Sequence, residues 1–514
     1  MSAIRRVLVA NRGEIACRVL AALREEQIEG VAVYSEADRH ARHVRLAKEA
    51  VAIGPAEAKL SYLDIDRMVD AARRANVDAV HPGYGFLSEN ARFAEAVERA
   101  GLAFLGPRAE TLALLGDKRA ARDLAKKAGV PIVPGWQGDA RKIEEAQRAA
   151  GELGWPVLVK AAWGGGGKGM SRAGNERELE SSLEAAARLA AAAFGDADVY
   201  LEKWIQDPRH VEVQIFGDGN GSVVHLFERE CSLQRRHQKV IEETPSPALS
   251  ESTRRAMTEA AVAIGKSAGY RSAGTCEFLL AENGSFYFLE VNARIQVEHP
   301  VTEMVTGIDL VREQIRLAKH GALSFAQKDV TQRGAAVEAR VYAEDPNAGF
   351  LPQAGLFVRV EFPRDPWLRV DSGIETGDEV SVHYDPLLAK VIAWGSDRAQ
   401  AWGRLARALD STVIHGPVTN LQFLRDLLRD DELKSGRYST RTIEDRILPR
   451  GKTADSDPAL FAAAAAVAEK LGIGKAVERN GSGRAAQGGA ARKRGGPFDT
   501  LARWRHPGLE KPRP

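Results

Sequence analysis

Short β-branched runs alternate with helical stretches near the amino terminus, and this alternation constrains the fold more than any other feature of the chain. Residues 7–10, 30–34 and 77–80 are predicted strands, with helical patterns between them. Such alternation is typical of βαβ units on a parallel sheet. Ligands of these sheets bind beyond the carboxyl ends of the strands. We therefore expect the loops at 11–14 and 81–90 to border a ligand site.

Composition and charge narrow the function classes. The 514 residues suggest several domains, at roughly 150 residues each. Lysine plus arginine number 72 against 70 for aspartate plus glutamate, so the net charge of +2 favours neither nucleic acid nor a membrane surface as a partner. Three widely separated cysteines indicate neither a disulfide framework nor a zinc site. No apolar run approaches the ~18 residues of a membrane span, and a strand-like run begins too early for a signal peptide. We expect a soluble, cytoplasmic, multidomain protein.

The strongest local motif is a glycine-rich segment between two predicted strands. Lys160 ends a β-type run, and the consecutive glycines at 164–167 precede Lys168. Consecutive glycines let backbone N–H groups approach phosphate oxygens, and the lysines add positive charge. A Walker A loop is excluded, because Gly169 stands where that loop needs serine or threonine. The GxGxxG match at 164–169 lacks the helix that a dinucleotide-binding motif opens. We interpret the segment as a flap over a nucleotide, with a flexible surface loop as the alternative.

A second motif is a predicted hairpin that carries acidic residues. Asn283-Gly284 lies between two alternating apolar runs and is a strong turn signal. A two-residue turn there sets Glu277 opposite Glu290, whereas a bulge or a longer loop shifts the pairing by a residue. Asn292 lies on the same strand face as Glu290. Facing carboxylates repel unless a cation lies between them, and ligands with oxygen donors alone suit Mg²⁺ or Mn²⁺. The solvated face of an ordinary hairpin is the alternative.

A third segment, 228–239, combines basic and acidic side chains and contains Gln234, His237 and Lys239. Clustered basic residues can mark a nucleic-acid patch. Interleaved glutamates and the lack of nearby aromatic residues argue against that function. His237 is equally compatible with a structural role.

Arg294 and Glu298 lie four residues apart in a short segment that ends at Pro300. An arginine can hold a planar oxyanion through two hydrogen bonds while a glutamate removes a proton from it. A simple Arg294–Glu298 ion pair is the alternative.

Together these segments resemble biotin carboxylase, the ATP-grasp subunit or domain of biotin-dependent carboxylases. The resemblance runs from about Ile4 to about Leu448. It is carried by ANRGEIA (10–16), HPGYGFLSEN (81–90), GDK (116–118), WGGGGKGM (163–170), ERECSLQRRHQKVIEETPSP (228–247), EVNARIQVEHPVTE (290–303) and VEARVYAEDP (337–346).

The resemblance implies an α/β and α+β multidomain fold. Its parts are an N-terminal Rossmann-like (pre-ATP-grasp) domain over 1–115, an ATP-grasp domain over 116–330 with a mobile lid at about 131–203, and a C-terminal mixed α+β domain over 331–450. The remaining 451–514 segment carries 12 lysines and arginines against 6 acidic residues and is rich in glycine and alanine. We predict that it is a basic flexible tail.

The resemblance also assigns site residues. The family's nucleotide-contacting positions fall on Lys118, Lys160, Gly164, Gly165, Gly166, Gly167, Glu202, Lys203, Ile205, His210, Gln234, His237 and Leu279. Its metal ligands fall on Glu277, Glu290 and Asn292. Its bicarbonate-binding positions fall on Lys239, Arg294, Gln296, Val297 and Glu298. Arg340 corresponds to the arginine that faces biotin, and Tyr84 lines the same pocket. The implied catalytic residues are Glu298, Arg340, Arg294 and Lys239.

The implied activity is the carboxylation of carrier-bound biotin with MgATP and bicarbonate through carboxyphosphate, the first half-reaction of an acyl-CoA carboxylase. The implied cofactors are ATP, two Mg²⁺ or Mn²⁺ ions, and biotin on a separate carrier chain, since no Ala-Met-Lys-Met-type motif occurs. Another ATP-grasp ligase and a catalytically silent scaffold subunit are the alternatives, and ATP turnover distinguishes the scaffold from an enzyme.

The implied partners are a biotin carboxyl carrier protein and a carboxyltransferase subunit, with no nucleic acid and no membrane. The resemblance also implies a homodimer. The first helix, however, has Ala21 where some members carry an arginine of the dimer contact. The final acceptor, an acyl-CoA or a keto acid, is not predicted by the sequence.

Overall fold

The computed structural model describes residues 4–138, 142–161, 170–194 and 199–450. The predicted glycine flap, with Gly164, Gly165, Gly166 and Gly167, and the predicted tail at 451–514 lie outside these described residues. Within the described ranges, no helix combines the length and the hydropathy that crossing a membrane requires.

The amino-terminal part is a parallel sheet flanked by helices, as the alternating pattern predicted. The sheet order is β3-β2-β1-β4-β5, and every neighbouring pair is parallel. Its elements are β1 (Arg6–Val9), α1 (Gly13–Glu25), β2 (Glu29–Ser35), α2 (Arg42–Leu46), β3 (Glu49–Gly54), α3 (Ile65–Arg74), β4 (Ala79–His81), α4 (Ala91–Arg99) and β5 (Ala103–Phe104). The loops at 11–14 and 81–90 follow β1 and β4, which are neighbours in the sheet, and therefore lie at the same edge.

Two short helices follow the last strand of this sheet in the chain, α5 (Ala109–Gly116) and α6 (Lys118–Lys127). Asp117 caps α6, because its side chain accepts hydrogen bonds from the backbone N–H groups of Arg119 and Ala120 at 2.9 and 3.2 Å. An aspartate cap satisfies otherwise unpaired donors of the first turn. The cap fixes Lys118 as the first residue of the helix.

The next part is a small antiparallel sheet of four strands. One helix follows its first strand and a second helix precedes its last strand. Its order is β6-β9-β7-β8. Its elements are β6 (Gly135–Gly138), α7 (Ile143–Leu153), β7 (Val157–Ala161), β8 (Met170–Ala173), α8 (Glu176–Phe194) and β9 (Val199–Lys203). The strands β7 and β8 flank the glycine segment and pair antiparallel with each other.

An eight-stranded sheet forms the centre of the molecule, in the order β14-β13-β10-β11-β12-β15-β22-β20. Strands β12 and β15 pair antiparallel, so this sheet continues across residue 330. Its strands and associated helices are β10 (Arg209–Asp218), β11 (Val223–Arg235), β12 (Gln238–Thr244), α9 (Glu251–Ser267), β13 (Arg271–Leu280), β14 (Phe286–Asn292), α10 (His299–Thr306), α11 (Leu310–His320) and β15 (Ala335–Tyr342).

The elements of the carboxyl-terminal part are β16 (Glu344–Asp345), β17 (Leu351–Pro352), β18 (Gly355–Leu356), β19 (Arg359–Glu361), β20 (Leu368–Ser372), β21 (Glu379–Val380), β22 (Leu387–Gly395), α12 (Arg398–Ser411), β23 (Val413–His415), α13 (Leu421–Arg429) and α14 (Asp431–Lys434). This part contributes β20 and β22 to the central sheet, and its other strands form separate two-stranded sheets, β16-β17, β18-β21 and β19-β23. The helix α12 packs on β22 and β15 through Ala401, Leu405 and Leu409, which are fully buried.

One apolar core joins the parallel sheet to the central sheet. Leu8 and Val80 of the first sheet belong to the same buried cluster as Val213 on β10 and Phe278 on β13. A fully buried side chain of this size contributes about 1.5–3 kcal/mol. This shared core holds the loops after β1 and β4 against the central sheet.

Candidate active site

A cavity of about 1360 Å³ is bordered by the loops after β1 and β4, by the small sheet and by the central sheet. Every predicted site residue that the structure describes lines this one cavity. These residues are Tyr84, Lys118, Lys160, Glu202, Lys203, Ile205, His210, Gln234, His237, Lys239, Glu277, Leu279, Glu290, Asn292, Arg294, Gln296, Val297, Glu298 and Arg340.

The β13–β14 hairpin sets Glu277 opposite Glu290, as predicted, although the turn differs from the prediction. The loop has three residues, 282–284, because Ala281 N–H donates to the Ser285 carbonyl at 2.8 Å. This shifts the register near the turn by one residue. Phe278 pairs with Phe288, and the extra residue Leu289 forms a bulge that shifts the register back. The predicted pairing is therefore correct because two irregularities cancel.

The predicted metal ligands present oxygen donors to the cavity. Glu277 and Glu290 face each other, and Asn292 lies opposite Thr275 two pairs further along, on the same face. Lys118 Nζ lies 3.5 Å from Glu290 Oε2, and both side chains line the cavity. A set with carboxylate and amide oxygens and without thiolate fits a hard cation such as Mg²⁺ or Mn²⁺. The residues present therefore fit the implied metal.

Lys239 is the charge centre of the site. Its Nζ lies 2.6 Å from Glu212 Oε2, 3.0 Å from Glu277 Oε1 and 2.6 Å from Glu298 Oε1. Gln296 Oε1 accepts a fourth hydrogen bond from Lys239 Nζ, at 3.1 Å. Burial alone would lower the pKa of Lys239, but the three carboxylates hold that pKa well above its usual value. Lys239 therefore stays an ammonium and balances carboxylates from β10, β13 and the loop before α10.

Glu298 is a buried carboxylate held between two cations. Besides Lys239, it accepts a hydrogen bond from Arg340 Nη2 through Oε2 at 2.9 Å, and only 1% of the residue is exposed. Burial would raise the pKa of Glu298, but Lys239, Arg340 and Arg229 together hold that pKa well below its usual range. The structure thus excludes the simple Arg294–Glu298 ion pair as the explanation of this segment, because each charge has other partners.

Arg294 pairs with a residue from the amino-terminal part. Its Nε donates to Glu89 Oε2 at 2.8 Å, and its Nη2 donates to Asn292 Oδ1 at 2.8 Å. Glu89 also accepts from the backbone N–H of Ala293 at 3.0 Å. The loop after β4 therefore fixes the orientation of this guanidinium over the cavity.

At the other end of the cavity, Glu202 on β9 accepts hydrogen bonds from both Lys160 and Arg122. Tyr200 carries both cations over its ring, at 5.9 Å for Lys160 Nζ and 5.8 Å for the Arg122 guanidinium carbon. Arg122 also donates to the Val133 carbonyl at 3.0 Å. These contacts attach the small sheet to α6 and bring Lys160 to the cavity wall.

His210 on β10 lies beside the acidic hairpin. Its Nε2 is 3.1 Å from Glu277 Oε2. Burial alone would lower the pKa of His210, but the neighbouring Glu277 carboxylate raises it above its usual value. Glu277 is therefore neutralised from two sides, by His210 and by Lys239.

Sequence reasoning predicted that the loops with Glu14 and Glu89 border a ligand site, but it did not single out these two residues. It missed Arg122 and Glu242 altogether. Glu242 accepts from Arg340 Nε at 2.5 Å and is fully buried, and burial raises its pKa to about 7 against the opposing effect of Arg340. Glu14 accepts from the hydroxyl of Tyr84. For Glu242 a signal was available, because this acidic residue follows the apolar Val240 and Ile241 in a β-type run. A carboxylate is seldom fully buried unless it is paired, so its position indicates a buried cation nearby.

Three family models match the chain. They are "Biotin carboxylase, N-terminal domain" at residues 3–112, "Carbamoyl-phosphate synthase L chain, ATP binding domain" at 117–325, and "Biotin carboxylase C-terminal domain" at 338–445. The biotin carboxylase of Pseudomonas aeruginosa is 49% identical to this chain, over 86% of the chain and 99% of that protein.

Larger relatives match in part. The mitochondrial methylcrotonoyl-CoA carboxylase subunit alpha of Dictyostelium discoideum is 46% identical over 89% of this chain, which spans only 66% of that protein's length. Among solved structures, the biotin carboxylase domain dimer of Hydrogenobacter thermophilus 2-oxoglutarate carboxylase, in complex with MgADP, ADP and bicarbonate, superposes with a TM-score of 0.83. It is 43% identical and is matched over 88% of this chain and all (100%) of that chain. Together with the cavity described above, these matches show that the chain belongs to the biotin carboxylase family of ATP-dependent ligases.

Proposed function

We propose that this chain carboxylates biotin held on a carrier protein, using ATP and bicarbonate. The observation that carries the proposal is Glu298, a buried carboxylate between Lys239 and Arg340 in a cavity that also contains the oxygen-donor hairpin. A base, an anion-binding cation and a metal site within one cavity are what activation of bicarbonate by ATP requires. The domain division at 115, 330 and 450 stays part of this proposal.

We assign the nucleotide to the end of the cavity formed by α6 and the small sheet. Lys118, Lys160 and His210 supply positive charge there for the phosphates, with further contacts from residues 202–205, Gln234, His237, Leu279 and the glycines 164–167. Phosphoryl transfer needs mainly positioning and charge neutralisation. Magnesium or manganese ions held by Glu277, Glu290 and Asn292 would neutralise the phosphate oxygens.

We assign bicarbonate to the space among Lys239, Arg294 and residues 296–298. Glu298 accepts the proton of bicarbonate, and the resulting oxygen attacks the γ-phosphorus of ATP to give carboxyphosphate and ADP. The cations that keep the pKa of Glu298 low also lower the pKa of a bicarbonate hydroxyl held between them. Bicarbonate would further take over part of the hydrogen bonding of Lys239, which raises the pKa of Glu298 toward that of a working base.

The second stage transfers the carboxyl group. Carboxyphosphate breaks into CO₂ and phosphate, the phosphate removes the N1′ proton of biotin, and the biotin anion captures CO₂. Arg340 stabilises the enolate-like oxygen of this anion, beside Tyr84. Carboxyphosphate hydrolyses in water, so we propose that the small sheet β6–β9 closes over the site.

We also propose the partners. Biotin would be presented by a biotin carboxyl carrier protein, and a carboxyltransferase subunit would use the product. A homodimer is supported by the likeness to the solved domain dimer. A reducing compartment such as the cytoplasm is supported by the three free, buried cysteines.

The test measures ADP formation by the purified chain with ATP and Mg²⁺, with and without bicarbonate, and then with free biotin or a biotinylated carrier. We expect bicarbonate-dependent cleavage that the carrier stimulates more than free biotin does, because tethering raises the effective concentration. A rate of ATP cleavage that is the same with and without bicarbonate would indicate another ATP-grasp ligase. A folded chain without any turnover would point to a scaffold subunit.

A further inference from the structure

Lys390, in the middle of β22, is a buried cation that the mechanism above does not use. Its exposed fraction is 0%. It pairs with Arg340 on β15 at one side and with Asp371 on β20 at the other. Residues directly opposite each other on antiparallel strands project from the same face. Lys390 therefore lies on the same face of the sheet as Arg340, the arginine that we assign to biotin, and directly opposite it.

The ammonium of Lys390 connects three separate parts of the chain. Its Nζ donates to the backbone carbonyl of Val297 at 2.7 Å. It also lies 3.3 Å from Glu14 Oε1, at the start of α1, and 3.6 Å from Asp371 Oδ2. The carbonyl of Val297 is the nearest of these three acceptors. That carbonyl belongs to the peptide bond that joins Val297 to Glu298.

Burying an ammonium with its carboxylate partners removes the hydration of all these charges, and apolar side chains in place of a whole buried ion pair often stabilise a protein as well or better. Stability alone therefore does not explain why a charged side chain occupies this buried position. The partners of Lys390 indicate a functional role. Glu14 and Asp371 balance the charge, while the short hydrogen bond restrains the peptide between two residues that we assign to bicarbonate.

We infer that Lys390 is a positioning residue for bicarbonate, which acts by holding the Val297–Glu298 peptide in register with Lys239 and Arg294. This inference rests on the proposed function. Lys390 does not line the cavity, so it acts through the backbone and not by contact with the substrate. A misplaced binding group weakens a reaction that depends on near-attack geometry.

The test compares two substitutions that separate charge from geometry. Lys390→Met removes both the charge and the hydrogen bond. Lys390→Arg keeps the charge against Glu14 and Asp371, but its larger planar head must fit a fully buried site and does not reproduce the same single-nitrogen contact. We expect both variants to raise the KM for bicarbonate at least fivefold and to leave the KM for ATP within twofold of the parent.

Arg369→Met is the matched control. Arg369 is also a largely buried cation on the central sheet and bonds the same Asp371, at 2.8 and 2.9 Å, as well as Glu303 at 2.5 Å. Its loss disturbs the same acidic neighbour without touching residues 296–298. We expect its KM for bicarbonate to stay within twofold of the parent.

Each outcome is decisive. A normal bicarbonate KM in folded Lys390→Arg, or an equal rise in Arg369→Met, would overturn the positioning role. If Lys390→Met does not fold, Lys390→Arg alone decides. If neither variant folds, as judged by circular dichroism, the role is structural and the inference is wrong. If the parent chain itself shows no bicarbonate-dependent ATP cleavage, the proposed function fails, which is distinguishable from failure of the Lys390 inference.

Discussion

Arg340 Nη2 lies 2.9 Å from Glu298 Oε2, so the residue assigned to biotin and the residue assigned to bicarbonate deprotonation are hydrogen-bonded to each other. Arg340 also bonds Glu242 and is therefore shared between two carboxylates. An arginine that turns toward a biotin anion would weaken its hold on Glu298. The two stages of the reaction are thus electrostatically linked through one guanidinium.

Glu298→Gln should leave ATP binding intact and slow bicarbonate-dependent ATP cleavage by about 10²-fold or more, because the amide keeps the shape but is not a base. Steady-state ADP formation and nucleotide binding by calorimetry measure the two effects. The control is Glu313→Gln, which removes a buried carboxylate bonded to Arg316 and Ser324, away from the cavity. An ordinary rate for Glu298→Gln would leave this residue with a structural role alone.

Arg340→Met should impair carboxylation of biotin far more than ATP binding, and it should move the pH dependence in a defined direction. Arg340 is one of the cations that hold the pKa of Glu298 low. Without it that pKa rises, and less of the base is ionised at a given pH. The acidic limb of kcat/KM for bicarbonate should therefore move to higher pH. An unmoved limb, or loss of ATP binding in a folded variant, would contradict the role assigned to Arg340.

The acidic pair on the hairpin could be predicted from the sequence because it depends on strand alternation and one turn signal. The length of the turn could not be predicted in the same way. Asn283-Gly284 is compatible with two-residue and three-residue loops, and the choice depends on a bulge at Leu289 that has no local signature. The pairing of Glu277 with Glu290 survived because the loop and the bulge displace the register in opposite directions.

The hydrogen-bond and ion-pair partners of the site residues could not be predicted from the sequence, for a different reason. Arg294 contacts Glu89, and Lys390 contacts Val297, across 205 and 93 positions of the chain. Beyond hairpins, local patterns do not indicate which strands become neighbours in a sheet. The pairing of β12 with β15, which continues the central sheet, is a long-range contact of this kind. Charge pairing within the cavity could be inferred only once this order was known.

Glu290→Gln should raise the Mg²⁺ concentration for half-maximal ATP cleavage by at least about tenfold, since the loss of a carboxylate weakens an oxygen-donor site. Titration of the rate with Mg²⁺ at saturating bicarbonate measures this. Glu282→Gln is the control on the same hairpin, because Glu282 is exposed in the turn and does not line the cavity. Equal Mg²⁺ dependence in both variants would place the metal elsewhere.

The last prediction concerns Glu338, which is fully buried on β15 opposite Glu242 on β12. Neither of its carboxyl oxygens has a hydrogen-bond partner in the described part of the chain. Burial raises the pKa of Glu338 well above its usual value, although Lys390 opposes this, and the Glu242 charge adds to the rise. The folded protein therefore binds this proton more tightly than the unfolded chain does.

The sign of the pH dependence follows from that difference. The stability associated with the Glu338 proton is complete below the unfolded pKa of about 4.3 and falls as the pH rises toward the folded pKa, with a slope of about 1.4 kcal/mol per pH unit. Glu338→Gln removes this titration. The free energy of unfolding of the variant, relative to the parent, should thus increase with that slope as the pH rises from the unfolded pKa toward the folded pKa. Urea unfolding followed by circular dichroism measures it, with Glu282→Gln as the exposed control. A difference that stays constant with pH would mean that the pKa of Glu338 is not raised in the folded protein.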